Sequence, residues 1–336
     1  MKPTRADGYV RPSRRVVLSG IAAGAGLLAA APTLLRARGP MEIRCGTATP
    51  GFTTVFYDVI RERKLDEKHG FRLGEPVLNA SIGTLFNDFV ANSSDLIIAS
   101  WDPILTRYHG GVPCRLLCTL MTADMIGIVA AKGGPKSIAE LKGKTIAAPQ
   151  QSGVYRMTRA MIKETAGADI EEIAQVQNAD NPAQGVTLVI AERADAAVAW
   201  EPMISNGMQK RPDLGVIFSA GKAFHDKTGS DLPYFCVNVR QEILDTNPGL
   251  GVKLNAAFGE CAGLIESEFD AIAAKYAPRT KIDVETLKIA RASGRFKLAY
   301  GAASDPKVQA TIITASEILT RQSVLSRKAE PGFFAA

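Results

Sequence analysis

From residue 42 onward, short apolar runs alternate with longer stretches whose apolar residues recur every three or four positions, with polar turns between them. That order predicts strands followed by covering helices, an α/β chain. MEIRCGTAT is a short strand, TTVFYDVIRERKLDEKHG a helix stopping near Gly70, and EPVLN a second strand. Asn79 or Ser81 then caps a helix through LFNDFVA, NSSD turns, and LIIAS is a strand. This is a strand–helix–strand crossover of the parallel kind. VPCRLLCTLM alternates as a strand, and KGGPKS, residues 132 to 137, reads as a hinge because Gly-Gly-Pro continues neither a helix nor a central strand.

Beyond it the pattern restarts. Ser137 caps the short helix IAELKG, TIAAP is a strand, QQSG a tight loop, and VYRMTRAMIKETAG a helix between Ser152 as cap and Gly167 as stop. Asn181 caps the next helix with Pro182 in its first position, and AAVAW is the following strand. The two units end alike, in DLIIASWDP and DAAVAWEP: Asp95 or Asp195, an apolar strand, Trp101 or Trp200, the acid Asp102 or Glu201, then proline. These segments hold the chain's only two tryptophans. LPYFCVNV, residues 232 to 239, is a strand returning to the first half; from Pro248 the chain is mostly helical, and the last dozen residues read as a tail.

A length of 336 residues exceeds one compact core and implies two lobes. The net charge of +6 lies wholly within residues 1 to 40, which hold seven Lys or Arg and one Asp, so the remainder is balanced and has no basic footprint for nucleic acid. The same segment runs from SRR into VVLSGIAAGAGLLAAAPTLL, the layout of an export signal of the twin-arginine class over residues 1–38, cleaved after Ala31 or nearby and placing the protein in the periplasm. Five scattered cysteines demand no disulfide, and Cys114 and Cys118 alternate into a core. GAGLLA lies inside the signal without a preceding strand, GKT at Gly143 lacks its partner glycine, and the three histidines stand apart, so nucleotide and metal chemistry are not indicated.

Ligands of open α/β sheets lie beyond the carboxyl ends of the strands. That places Trp101 and Trp200 as aromatic surfaces, with Asp102 and Glu201 as acceptors for a donor group, although Asp102 before Pro103 reads equally as a helix cap. Gln151, Ser152 and Tyr155 surround a helix start able to take an acid group. Thr47, Thr49 and Phe52, with Asn79 and Ser81, are the first-lobe counterparts.

These pieces resemble the solute receptors of ABC importers in the nitrate/sulfonate/taurine class, a branch of the type 2 periplasmic binding proteins. The resemblance rests on GTATPGF, KHGF, DLIIAS with its following helix and GGVP, SIAELKGKTIAAP and DAAVAWEP, spanning residue 42 to beyond Pro248. It implies two lobes, each a mostly parallel sheet flanked by helices, with residues 41–130 and 235–336 forming lobe 1 and 131–234 lobe 2. Two crossing strands near Ala130 and Tyr234 would join them, with Tyr234 facing the ligand, and the lobes would close on a small anionic or zwitterionic molecule by a hinge. It further implies a monomer without cofactor or catalytic residue, handing its ligand to a membrane permease and its ATPase. A receptor for a pyrimidine precursor of thiamine, as in some relatives in the superfamily, or for another polar aromatic, or an enzyme on the same fold, are the alternatives; the histidine and cysteine-rich stretch of the pyrimidine-forming enzymes have no matching positions here.

Overall fold

A computed structural model describes residues 42–335. The export signal and its cleavage near Ala31 lie outside them.

The first half runs β1 (Glu42–Ile43), β2 (Cys45–Ala48), α1 (Thr54–Glu62), α2 (Leu65–His69), β3 (Arg72–Leu73), β4 (Val77–Asn79), α3 (Ile82–Val90), β5 (Leu96–Ser100), α4 (Trp101–His109) and β6 (Cys114–Met121). Ser81 caps α3 by accepting from the Thr84 N–H, and Leu85, Phe86 and Phe89 turn one face of that helix onto the wholly buried β5. The expected single helix before Gly70 breaks in two at Lys64, which adopts a left-handed conformation.

The second half follows as β7 (Ile126–Ala130), β8 (Thr145–Ala148), α5 (Gly153–Ala166), α6 (Ile170–Ile173), β9 (Gln175–Asn178), α7 (Pro182–Ile190), β10 (Ala196–Trp200), α8 (Met203–Lys210), β11 (Gly215–Ser219) and α9 (Ala220–Thr228). Ser152 and Asn181 cap α5 and α7 as their spacing predicts. The chain returns through β12 (Phe235–Arg240), α10 (Gln241–Thr246), α11 (Leu250–Ser267), α12 (Phe269–Thr280), α13 (Val284–Ala292), β13 (Leu298–Ala302) and α14 (Pro306–Arg321).

Two sheets carry the lobes, in the orders β13-β6-β12-β5-β2-β4 and β11-β7-β10-β8-β9. The duplicated units superpose in topology: β5-β2-β4 and β10-β8-β9 are parallel trios with the first strand in the middle. The remaining strands enter antiparallel, because the crossing strands must run back along β5 and β10. The repeated aspartates have the same role in both trios. Asp95 accepts from the Arg44 N–H at 2.9 Å, and Asp195 from the Thr145 N–H at 2.8 Å, each tying down the start of the neighbouring strand.

Three expectations are corrected. Ala130 ends β7, which pairs with β10 inside the second sheet, so the first crossing is Thr122–Met125 and KGGPKS is a turn at the far end of lobe 2. Apolar periodicity cannot tell which sheet a fully buried strand joins. The last residues are no tail: Phe333 and Phe334 are buried, and the Ala335 N–H donates to the Leu116 carbonyl at 2.8 Å. The C-terminal segment also grips lobe 2 on both flanks, since Thr286 donates to Gln209 while Arg321 and Gln322 hold Glu164 on α5. Arg321, with Lys227 beside it, holds the Glu164 carboxyl down to about 2. Among the described residues no helix is long and apolar enough to cross a membrane, and all five cysteines are free and buried.

Candidate functional site

The carboxyl ends of the two parallel trios face each other across the seam between the lobes. The crossings that join the lobes form a short ribbon: the Ala123 N–H donates to the Leu232 carbonyl at 2.7 Å and the Tyr234 N–H to the Met121 carbonyl at 2.8 Å. One apolar cluster runs from lobe 1 through Trp101, Met125 and Tyr234 into Trp200, so the lobes are shut on one another.

Both indoles rest on the returning crossing. Trp101 is fully enclosed and its Nε1 donates to the Pro233 carbonyl at 2.9 Å; Trp200 meets Phe235 edge to face at 6.3 Å. They converge on the base of the cleft and serve there as packing for the crossing segment, which corrects the expectation that Trp101 offers an open stacking surface. Trp101→Phe keeps most of the volume but leaves the Pro233 carbonyl buried without a donor. We expect a loss of about 1–3 kcal/mol in chemical denaturation; an unchanged midpoint would contradict the role given to Nε1.

The paired acids are also accounted for by the protein itself. Glu201 is fully buried; Oε1 accepts from Arg295 Nε at 2.7 Å and from Ser205 Oγ at 3.1 Å, and Oε2 from the Ser205 N–H at 3.0 Å. Arg295 lies in the segment leading into β13 of the first sheet, so this pair spans the lobes. Both oxygens are occupied, and Glu201 is therefore not the free acceptor expected from sequence. Asp102, equally buried, pairs with Arg156 of α5, whose Nε is 3.0 Å from Oδ2. The alignment is poor, and neither carboxylate oxygen nor Arg156 Nε has a hydrogen-bond partner. Burial pushes the Asp102 carboxyl up to about 6 against the opposing pull of Arg156. Ser100, not Asp102, occupies the cap position of α4. Tyr234 sits in the same cluster, with its hydroxyl beside Ser100 and its pKa raised by burial and by the Asp102 charge.

The start of α5 thus meets a carboxylate from the facing lobe. A methyl group on Gly153 would stand 2.2 Å from Ser100 Oγ and 2.3 Å from Asp102 Oδ1. Ser152 donates to the Pro149 carbonyl at 2.7 Å, and Tyr155 turns into lobe 2 to donate to Glu171 at 2.8 Å. In lobe 1, Thr47 is paired with Thr53 at 2.6 Å, and Phe52 packs in a ring cluster 4.9 Å from Phe296 and 5.8 Å from Phe269. Those four side chains are committed to their own lobes in this closed form.

Further along the seam the picture differs. The Thr49 N–H donates to the Asn79 carbonyl at 2.8 Å, bringing two loops together, and both Asn79 Nδ2 and Thr49 Oγ1 are enclosed without a hydrogen-bond partner. Ser81 is exposed beside them. From the opposite lobe, Gln151 lies over the start of α3, its Oε1 3.0 Å from where a methyl on Gly83 would be. Arg156 and Arg295 were not foreseen. Arg156 stands one turn beyond Ser152 in a helix already assigned, which was a usable signal; Arg295 sits in an irregular segment with none.

This architecture is the periplasmic binding protein fold. The profile of the family described as NMT1/THI5 like matches residues 88–224. The periplasmic aliphatic sulphonate binding protein SsuA from Escherichia coli superposes with a TM-score of 0.67 at 17% identity, over 86% of this chain and 90% of that one. The alkanesulfonate-binding protein SsuA from Xanthomonas axonopodis pv. citri, bound to MOPS, gives a TM-score of 0.69 at 14% identity, over 86% and 95%. A Candida albicans gene product described as having the generic periplasmic binding protein fold gives 0.65 at 13%, over 87% and 93%. No curated sequence matches. The fold that the resemblance implies is borne out by these structures, and the family profile agrees with it.

Proposed function

We propose that the protein is an exported, periplasmic solute receptor that encloses a small anionic or zwitterionic organic molecule between its lobes and delivers it to an ABC import permease and its ATPase. The observation that carries this is the pair of buried, unpartnered donors, Asn79 Nδ2 and Thr49 Oγ1, just before α3, the start of which Gln151 of the other lobe overlies. Leaving such groups unpaired costs about 1–3 kcal/mol each, and a solute oxygen accepting from both removes that cost. A sulfonate or carboxylate supplies such oxygens, and the sulfonate-binding names of two structural neighbours agree. The candidate acids, Asp102 and Glu201, both face arginines, which favours binding over catalysis. Ser81, Gln151, Asn79 and Thr49 would contact the solute, and Trp101, Trp200, Tyr234 and Phe52 would shape the base beneath it.

Calorimetry with ethanesulfonate, MOPS, taurine and nitrate tests the reading. At least one should bind with a Kd near 1 μM, about −8 kcal/mol. Asn79→Ala should weaken that solute by about 1–3 kcal/mol without lowering the thermal midpoint. Failure of every compound to bind below millimolar concentration would defeat it. The NMT1/THI5-like match motivates one competitor, a pyrimidine precursor of thiamine, which belongs in the same panel; tight pyrimidine binding with no sulfonate binding selects it.

A further inference from the structure

The acids that follow the two tryptophans occupy equivalent places in the repeat, yet their surroundings differ. Each reaches across the seam to an arginine of the other half, and each follows an indole that rests on the returning crossing. Glu201 has three well-formed hydrogen bonds. Asp102 has a nearby cation in Arg156, and the Ser100 hydroxyl and its own backbone N–H also approach it, but none of them reaches either oxygen with good hydrogen-bond geometry. A carboxylate removed from water pays a large desolvation cost that only good geometry returns. By that criterion one crossing contact holds the lobes together and the other pushes against it.

We propose that these are two unequal inter-lobe contacts that set the open–closed balance of the solute-free protein: Glu201 with Arg295 is a clasp that favours closure, and ionised Asp102 against Arg156 is a built-in opposing element that keeps the closed form from being over-stable. A receptor shut without cargo has no entrance, and one that never shuts cannot retain its solute; opposing contacts of comparable size leave the decision to the solute. The inference goes beyond the solute-receptor reading and needs no knowledge of the solute.

Protonation supplies an independent sign. The groups facing Asp102 are Arg156 on α5, Arg107 on its own helix, and Tyr234 and Cys236 on the returning strand. The closed-state carboxyl titrates near 6 against the ordinary 3.8. A group with a raised closed-state value binds protons preferentially when closed, so closure is favoured below the open-state value and that advantage is lost as pH rises through about 6. The two values limit the effect to about a hundredfold in the closure equilibrium.

The test uses the whole protein without solute, read by small-angle X-ray scattering for lobe separation and by intrinsic emission from Trp101 and Trp200, with thermal melting to check folding. At pH 7.5, Asp102→Asn should increase the closed fraction and abolish its pH dependence between 5 and 7.5. Glu201→Gln should decrease the closed fraction, with a red-shifted emission. Approached from the other partner, Arg295→Gln should open the lobes as Glu201→Gln does, and Arg156→Gln should open them more at pH 7.5 than at pH 5, because ionised Asp102 then has no cation. Identical responses to Asp102→Asn and Glu201→Gln, or a closed fraction unchanged in both, would overturn the proposal. Because no solute is added, this outcome is separate from failure of the binding panel.

Discussion

Gly153→Ala should cost roughly a hundredfold in solute affinity, about 2.7 kcal/mol, while the protein stays folded. The first residue of α5 lies so close to lobe 1 that an added methyl would be 2.2 Å from Ser100 Oγ, 2.3 Å from Asp102 Oδ1 and 2.7 Å from Ser100 Cβ. Rotating Ser100 and Asp102 away relieves only the first two contacts, and both side chains are enclosed. The Ser100 Cβ moves only if β5 moves. The lobes can escape the clash by standing about 1 Å further apart, which preserves each core and removes the closed form. Calorimetry with the tightest solute of the panel, paired with thermal melting, measures both halves of the expectation. Affinity within threefold of the parent protein would show that closure does not bring Gly153 this near.

Gly221→Ala should destabilise the protein by about 3 kcal/mol or more, the upper end for overpacking. Here the added carbon would lie 2.3 Å from Asp124 N, 2.5 Å from Ala123 C and 2.7 Å from Asp124 Cα. All three are backbone atoms of the first crossing, which is held by the Ala123–Leu232 and Tyr234–Met121 hydrogen bonds on its other side. No side-chain rotation relieves the contact, so either α9 lifts from the crossing or the ribbon breaks. Urea unfolding reads the loss directly; a change under 1 kcal/mol would mean that the crossing yields locally. The contrast between the two glycines separates motion from folding, since one clash is relieved by opening and the other is not.

Much of the architecture follows from local rules. Ser81, Ser152 and Asn181 cap helices because an oxygen three residues before an apolar run meets free N–H groups. The strands LIIAS and AAVAW are legible because they are apolar at every position but the final Ser100, as strands covered on both faces tend to be. The weakly patterned pieces, β9, α13 and β13, carry little sequence signal: QVQN is largely exposed, and the other two are held by neighbours distant in sequence.

Within the site, sequence marked Trp101, Asp102, Trp200, Glu201 and Tyr234 as a group, and the structure does bring them to one seam. Their roles differ from those expected because each role depends on what arrives from the opposite lobe. Glu201 is occupied by Arg295, ninety-four positions away, whereas Asp102 only faces Arg156, fifty-four positions away. Neither pairing leaves a periodic trace.

Sequence alone therefore determined the repeat: the two strand–helix–strand units, their caps and the aspartate-led, tryptophan–acid–proline ends, all of which depend on near neighbours and on the burial of one face. Tertiary structure decided the crossing at Thr122–Met125, the C-terminal seam, and which carboxylates are satisfied and which are not. Those outcomes depend on solvent exclusion and on charges brought together by closure, and both are properties of two surfaces meeting.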